Sequence, residues 1–192
     1  MSPSSRTKPW QLRSGKPWAE RTSIRAELFN DQRLEQHAVS LADIQMVVRD
    51  STPVVSLLKR IGQNHRALVR CYRTILADIE ADRSITPAAE WLVDNFHTIE
   101  QNIRQVHQDL PRGYFKQLPK LGPGFLEGHP RIFGLIWGYI AHTDSLVDPE
   151  QLGRYVSAHE SRKALTLGEL WAVPINLRII LIENVRRVSS RS

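Results

Sequence analysis

Several features that identify a protein class at first sight are missing or scarce in this sequence. The 192 residues include a single cysteine, which excludes an internal disulfide framework and any multi-cysteine metal site. The longest nearly unbroken apolar run covers residues 132–141, whereas a bilayer span needs about 20 residues. Residues 1–10 carry charges and two prolines without the apolar core of a signal peptide. We therefore expect the chain alone to be soluble and cytoplasmic.

Familiar catalytic and nucleotide-binding motifs are also missing. The sequence has no P-loop, no GxSxG and no CxxC, so the sites that these motifs build are not expected. No window alternates apolar and polar residues with β-branched enrichment, and strands are therefore not expected either. With 41% hydrophobic and 24% charged residues, the composition is that of a globular protein with a buried core.

The positive charge is concentrated at the start of the chain. Lysine and arginine number 26 against 20 acids, a formal net charge of +6. Residues 1–25 hold six of these bases and one acid, which leaves 20 bases and 19 acids elsewhere. We expect the proline-containing residues 1–22 to form a disordered basic arm. The folded body, residues 23–190, is expected to lack a basic face and to bind no nucleic acid.

The strongest periodic signal predicts two long helices. Apolar residues recur at alternating spacings of four and three through residues 54–79 and again through 92–110. This is a heptad pattern, in which His65 is the polar exception. Thr86 before Pro87 is a typical helix start. Two helices of matched length joined by a short loop must run antiparallel and bury their apolar sides on each other.

Further helices are predicted on both sides of this hairpin. Apolar spacings of three and four indicate a first helical region within residues 23–50. An apolar cluster predicts another helix over residues 131–142, and Asp148 before Pro149 marks the start of a short one.

The last helix has the clearest start signal. Thr166 and Glu169 form a capping box, in which each side chain satisfies the other residue's backbone N–H. Pro174 is expected to kink this helix without ending it. The predicted fold is therefore all-α: a helical bundle built around an antiparallel helical hairpin, preceded by the disordered basic arm.

Residues 111–130 are rich in proline and glycine and cannot hold a regular helix for long. The segment is long for an idle connection, so we expect either packed irregular chain or a functional loop. Arg112, Tyr114, Lys116 and Lys120 combine positive charge, an aromatic ring and free backbone, a set able to hold a phosphate. Solvated loop charges are the simpler interpretation.

His142 and Asp144 could supply two metal ligands, or a base with its orienting acid. A metal site needs three or four converging donors, and capping at a helix exit explains Asp144 more simply. We therefore assign no catalytic, metal-binding or cofactor-binding residue. An independent small enzyme that uses this pair is the weakest hypothesis.

Three stretches of the sequence resemble a known family. They are ITPAAEWLVDNFHTIEQNIRQVHQDLPRGYFKQLPKL (85–121), HPRIFGLIWGYIAHTDSLVDPEQLGRYVSAH (129–159) and LTLGELWAVPINLRIILIENVRRV (165–188). The upstream ELFNDQRLEQHAVSLA (27–42) fits the start of the same region. Over about residues 27–188 the chain resembles the N-terminal cytoplasmic region of bacterial cyclic β-1,2-glucan synthases.

The resemblance implies a place within a very large inner-membrane enzyme. Full-length synthases of this family use UDP-glucose as donor, build a β-1,2-glucan on the enzyme, trim it with a phosphorylase domain and cyclise it for the periplasm. This sequence has neither a DxD-type nor a QxxRW-like glucosyltransferase motif, so no catalytic residue can be carried over. We expect a truncated or split form at the cytoplasmic side of the inner membrane, with no cofactor of its own.

The preferred hypothesis is a scaffolding or regulatory segment whose partner is the remainder of the synthase. The candidate interdomain or ligand contacts are aromatic, charged or polar residues: Trp91, Arg112, Tyr114, Lys116, Arg131, Trp137, His142, Asp144 and Trp171. The alternative is a free-standing helical adaptor that binds a protein partner, or an anionic membrane surface through the basic arm.

Overall fold

The computed structural model describes residues 22–48, 56–110 and 113–189. These residues contain eight helices and one pair of two-residue strands. In chain order the elements are α1 (Asp31–Ile44), β1 (Val47–Val48), α2 (Leu57–Glu80), α3 (Pro87–Asp109), α4 (Tyr114–Gln117), β2 (Lys120–Leu121), α5 (Arg131–His142), α6 (Pro149–Glu160), α7 (Leu167–Trp171) and α8 (Val173–Ser189). The all-α prediction is confirmed. Apart from Thr22, the predicted arm (1–22) lies outside the described residues.

The predicted hairpin of α2 and α3 is present, and α8 packs against both of its helices. The Thr86 side chain caps α3 by accepting a hydrogen bond from the Ala89 backbone N–H at 3.2 Å. Ile61 and Leu68 of α2 are fully buried. Because α8 packs against both helices, their apolar sides face α8 as well as each other.

The third helix changes which polar residues of α2 are buried. His65, predicted within the seam, is half-exposed, with Nε2 3.2 Å from Glu100 Oε1 on α3. Asn64, one position away, is fully buried. The reason is that α8 covers this side of α2, and Asn64 donates to its Glu183 at 2.8 Å.

α5 lies at the centre of the fold. Each of its twelve residues is buried, and the helix contacts α1, α7, α8 and β2. Its bounds agree with the predicted helix over residues 131–142. Between its terminal Arg131 and His142, α5 has no charged residue on any side. A helix of this composition is typically buried all round, as α5 is.

The predicted first helical region, residues 23–50, is wrong at both of its ends. Residues 22–30, here called the strap, are extended over α5, where Ala26 N–H donates to Ala141 O at 2.8 Å and Phe29 N–H to His142 O at 3.1 Å. Because these backbone groups are bonded to another element, they cannot form helical bonds. The helix starts only at Asp31, where the Asn30 side chain accepts from Arg33 N–H at 2.9 Å.

A short antiparallel strand pair was not expected from the sequence. Val47 pairs with Leu121 and Val48 with Lys120, and Gly122 N–H extends the pairing by donating to Met46 O at 2.8 Å. The pair ties the residues after α1 to the segment rich in proline and glycine. Apart from α4 and β2, the described part of that segment is packed irregular chain.

The last predicted helix is interrupted near Pro174. α7 ends at Trp171 and α8 begins at Val173, because a proline has no N–H to donate and its ring crowds the preceding turn. Ala172 lies between the two helices, and its carbonyl accepts a hydrogen bond from the Asn176 side chain at 2.7 Å. The predicted kink is thus a boundary between two helices.

The expectation that the folded body lacks a basic face is wrong for α2. Lys59, Arg66, Arg70 and Arg73 are all exposed and project from one side of the helix. The near-neutral charge of the body concealed this face, because most of the balancing acids lie on other elements.

A buried carboxylate joins α2 to α8. Glu183 is fully buried and accepts hydrogen bonds of 2.8 Å from Arg60 of α2 and from Arg186 and Arg187 of its own helix. Burial alone would raise the pKa of Glu183, but these hydrogen bonds outweigh it and lower the pKa to about 2. Arg187 also donates to Thr22 O at 2.9 Å, which connects the strap to the same cluster.

Replacing Glu183 by Gln should lower the free energy of unfolding by about 3–5 kcal/mol, because buried guanidinium groups would lose their counter-charge. The measurement is urea unfolding followed by circular dichroism. Glu150→Gln, an exposed acid in the first turn of α6, is the control and should change stability by less than about 1 kcal/mol. Equal stability losses in both variants would contradict this role for the cluster.

Two helical glycines should respond to alanine in opposite directions. A Cβ on Gly138 would lie 2.9 Å from the Tyr155 hydroxyl and 3.1 Å from His37 Nε2, whereas a Cβ on Gly153 would meet nothing within 4 Å. Gly138→Ala should destabilise the fold by about 1–3 kcal/mol through overpacking. Gly153→Ala should stabilise it by about 0.5–1 kcal/mol through helix propensity. Thermal unfolding of the two variants measures both, and changes of the same sign would contradict the packing described for α5.

Candidate functional site

The candidate contact residues do not form one site. Tyr114, Arg131 and Trp171 gather at α7, while Trp137 and His142 line a cleft between α1, α5 and residues 122–126. The others are dispersed: Trp91 is half-exposed on α3, Lys116 is exposed on α4, Asp144 forms an ion pair with Arg25, and Arg112 lies outside the described residues.

α7 is held in place by a buried ion pair. Arg131, the first residue of α5, is 4% exposed, and its Nε and Nη2 donate to the two carboxylate oxygens of Glu169 at 2.8 and 2.6 Å. Arg131 also donates to Ala164 O at 3.0 Å. A two-point contact of this kind fixes direction as well as distance.

The predicted capping box completes this arrangement. Glu169 accepts from Thr166 N–H at 2.8 Å, and Thr166 Oγ1 accepts from Glu169 N–H at 3.2 Å. The Tyr114 hydroxyl donates to Gly168 O from the side, and burial, with a smaller effect of Glu169, raises the pKa of that tyrosine. Side chains of α4 and α5, together with the N-cap Thr166, therefore position a helix of only five residues.

The outer side of α7 presents two large apolar side chains to solvent. Leu167 is 69% exposed and Trp171 is 73% exposed. At a spacing of four residues they share one side of the helix. We call this pair the α7 face. Tryptophan is one of the residues enriched at the anchor points of protein interfaces.

The cleft at α5 has a volume of about 380 Å³. Its walls are mainly apolar, with Leu41, Phe125 and Trp137 among them, and none of the described residues that line it is Asp, Glu, Lys or Arg. Gln45 Oε1 is buried at this cleft without a hydrogen-bond partner in the described chain. The cleft can accept an uncharged, largely apolar group.

Two neutral imidazoles form one end of the cleft. His142 Nδ1 lies 2.6 Å from Glu27 O on the strap; because a carbonyl can only accept, Nδ1 carries the proton. Phe29 stacks on the same ring at 3.8 Å between centroids, and the His37 ring meets it edge-on at 4.6 Å. His142 therefore fastens the strap to α5. Among the described residues no cluster of three or more His, Cys, Asp or Glu side chains has the placement of a metal site.

A second apolar surface surrounds Trp91. Its side chain lines a groove of about 300 Å³ together with Leu181, Val185 and Val188 of α8 and Ser145. Asn184 also lines this groove, and its side chain donates to Ser145 Oγ at 2.7 Å and accepts from Ile24 N–H at 2.6 Å. The groove thus lies between α3 and α8, beside Ser145.

Sequence reasoning missed Leu167, His37 and the ion-pairing role of Glu169. Leu167 could have been found, because the capping box sets the start of α7 and the spacing to Trp171 then places both residues on one side. The pairing of Arg131 with Glu169 has no local signal, since 38 residues separate them. The placement of His37 against His142 likewise depends on how α1 packs on α5.

The geometry defines the class of protein as an all-helical module in which a short, ion-paired helix exposes two large apolar side chains. No family model matches the chain. The chain is 40% identical over 171 residues to the cyclic beta-(1,2)-glucan synthase NdvB of Rhizobium meliloti (strain 1021). The aligned part covers 88% of this chain and 6% of that synthase.

This similarity confirms the resemblance derived from the sequence: the chain is related to a segment of a cyclic β-1,2-glucan synthase. It spans a small fraction of the relative's length. Within residues 22–48, 56–110 and 113–189, no helix combines the length and apolar character needed to cross a bilayer.

The buried histidines should make the fold sensitive to mild acid. Burial, with a smaller effect of His142, lowers the pKa of His37 to about 4, and burial with the charge of Arg131 does the same for His159. When a histidine has a lower pKa in the folded state than in the unfolded chain, where it is near 6.5, stability is unaffected above pH 6.5. Below that pH the unfolded chain binds the proton more readily, so the free energy of unfolding falls as the pH approaches 4. Each site should cost up to about 2 kcal/mol between pH 7 and pH 5.

Denaturant unfolding at pH 7 and pH 5 measures this loss. His37→Gln should reduce the difference in free energy of unfolding between pH 7 and pH 5, because one site that resists protonation in the folded state is removed. His97→Gln, an exposed position on α3, is the matched control. A pH dependence that is the same in both variants would show that His37 does not contribute.

Proposed function

We propose that this chain is a non-catalytic helical docking module of a cyclic β-1,2-glucan synthase, and that the α7 face is its contact with the glucosyltransferase part of the enzyme. The observation that carries the proposal is that α7 is anchored on one side and apolar on the other. Its Glu169 forms a buried ion pair with Arg131 of α5, while its Leu167 and Trp171 are strongly exposed.

The exposure of the α7 face favours an interaction role. Single apolar residues on a surface are ordinary, but adjacent large ones mark contact sites more often. Truncating a tryptophan at the centre of an interface typically costs 2 kcal/mol or more, roughly 30-fold in affinity. Leu167 beside Trp171 would extend the same buried contact.

The rigidity of α7 supports the same role. Association costs free energy when flexible segments become ordered at the interface. Here the ion pair, the capping box and the Tyr114 hydroxyl already hold the backbone. A partner would therefore bind a prepared surface, and little of the contact energy would be lost in ordering it.

The length comparison favours a partner within the same synthase. The segment that matches this chain is a small part of a much longer relative. In this proposal, the remainder of the synthase binds UDP-glucose, transfers glucose and meets the α7 face on the cytoplasmic side of the inner membrane. The groove at Trp91 offers a second contact to the same partner.

A complementation assay tests the proposal. The chain is expressed together with a Rhizobium meliloti synthase from which the matching segment has been removed, and both association and UDP-glucose-dependent glucan synthesis are measured. We expect co-purification and restored synthesis with the parent chain. Leu167→Ser with Trp171→Ser should weaken association by at least about 30-fold.

The control pair is Leu28→Ser with Ile79→Ser, which removes two exposed apolar side chains elsewhere and should leave association unchanged. Incubated alone with UDP-glucose, the chain should form no glucan. Turnover by the isolated chain would contradict the non-catalytic role, and equal association by both double variants would contradict the assignment of the α7 face.

A further inference from the structure

Four basic side chains form a continuous face along α2. At 100° per residue, Lys59, Arg66, Arg70 and Arg73 fall within an arc of about 60° around the helix axis. With a rise of 1.5 Å per residue, they extend over about 21 Å. All four are exposed, and together they are called the basic face.

No acidic side chain of the described ranges pairs with the charges of the basic face. Across the described residues, none of these four side chains forms an ion pair or a hydrogen bond. Arg60, which projects to a different side of α2, bonds to Glu183. The acids of α2, Asp78 and Glu80, lie in its last turns, and Asp78 pairs with Arg83 at 2.9 Å.

The position of α2 leaves this side accessible. Its long-range contacts are with α3 and α8, which cover the side that carries Ile61, Asn64 and Leu68. The other positions on the basic face, Gln63 and Ala77, are exposed as well.

The composition of the basic face selects among negatively charged partners. A specific protein interface is anchored by aromatic and apolar side chains, and single-stranded nucleic acid stacks on aromatic rings. The basic face has neither. A row of cations without apolar anchors suits a planar, delocalised negative charge, as on a membrane surface that contains anionic lipids.

We propose that the basic face of α2 binds the anionic headgroups of a lipid surface and orients the module on it. The contact is electrostatic and peripheral, because no large apolar side chain accompanies the cations into the bilayer. It is independent of the docking role of the α7 face. Each cation near such a surface contributes about fivefold in partitioning.

The test is co-sedimentation of the full chain with phosphatidylcholine vesicles that contain about 30% phosphatidylserine, a strongly anionic surface. Arg66→Gln, Arg70→Gln and Arg73→Gln in one variant should lower the partition coefficient on the order of 100-fold at low salt. Raising the salt should weaken binding of the parent chain. Pure phosphatidylcholine vesicles should bind none of the proteins.

The matched control carries Arg104→Gln, Arg154→Gln and Arg162→Gln, which remove the same charge from exposed positions on α3, α6 and the residues after it. Both variants keep residues 1–25, so the basic arm cannot account for a difference between them. The control should bind within a few-fold of the parent. Lysine at all three α2 positions preserves charge and should restore binding, and circular dichroism confirms folding.

Equal losses in the two glutamine variants would show that net charge alone matters and would overturn the proposal. It would also fail if the α2 variant bound vesicles as the parent does. A third outcome would also overturn it: loss of binding to a DNA duplex at the same salt with vesicle binding unchanged would assign the basic face to nucleic acid.

Discussion

Glu183 is enclosed on α8 and receives guanidinium groups from α2 and from its own helix, while Arg187 reaches on to the strap at Thr22. Removing a carboxylate from water is costly, and the cost is offset only when the surrounding donors are all in place. The hairpin, the last helix and the strap therefore adopt their relative positions together. Apolar packing is not directional and would permit small slides between these elements.

The same logic operates on a smaller scale at α7. A five-residue helix has too little surface to be positioned by apolar contact, yet the ion pair from Arg131 sets both its place and its direction. Because Arg131 is the first residue of the fully buried α5, the position of the α7 face is fixed relative to the central helix of the fold. Exposed apolar side chains on such a support can keep one geometry in the absence of a partner.

Local chemistry made much of the fold predictable, and distant contacts explain the remainder. Thr86, Asp148 and Thr166 cap helices where the sequence placed them, because capping depends on neighbouring residues. The strap was predicted to be helical because its residues carry apolar spacing, but its backbone bonds to α5, more than a hundred residues away. Glu183 and Arg60 are 123 residues apart, and no pattern along the chain pairs them.

The candidate site was predictable in kind and only partly in position. Trp171 and Tyr114 were chosen as aromatic contacts, and the fold does bring them to α7. The net charge does not predict the basic face of α2, because bases and acids nearly cancel over the whole body. A helical projection of residues 59–73 alone would have revealed it.

The strap has a consequence for biosynthesis. Ile24 N–H donates to Asn184, 160 residues later, so the beginning of the strap lacks this partner until α8 has left the ribosome. Between the completion of α3 and that of α8 lie 80 residues, which take roughly 4–16 s to translate. During this interval the apolar side of the hairpin has no cover, and a nascent chain in that state is a natural client for holding chaperones.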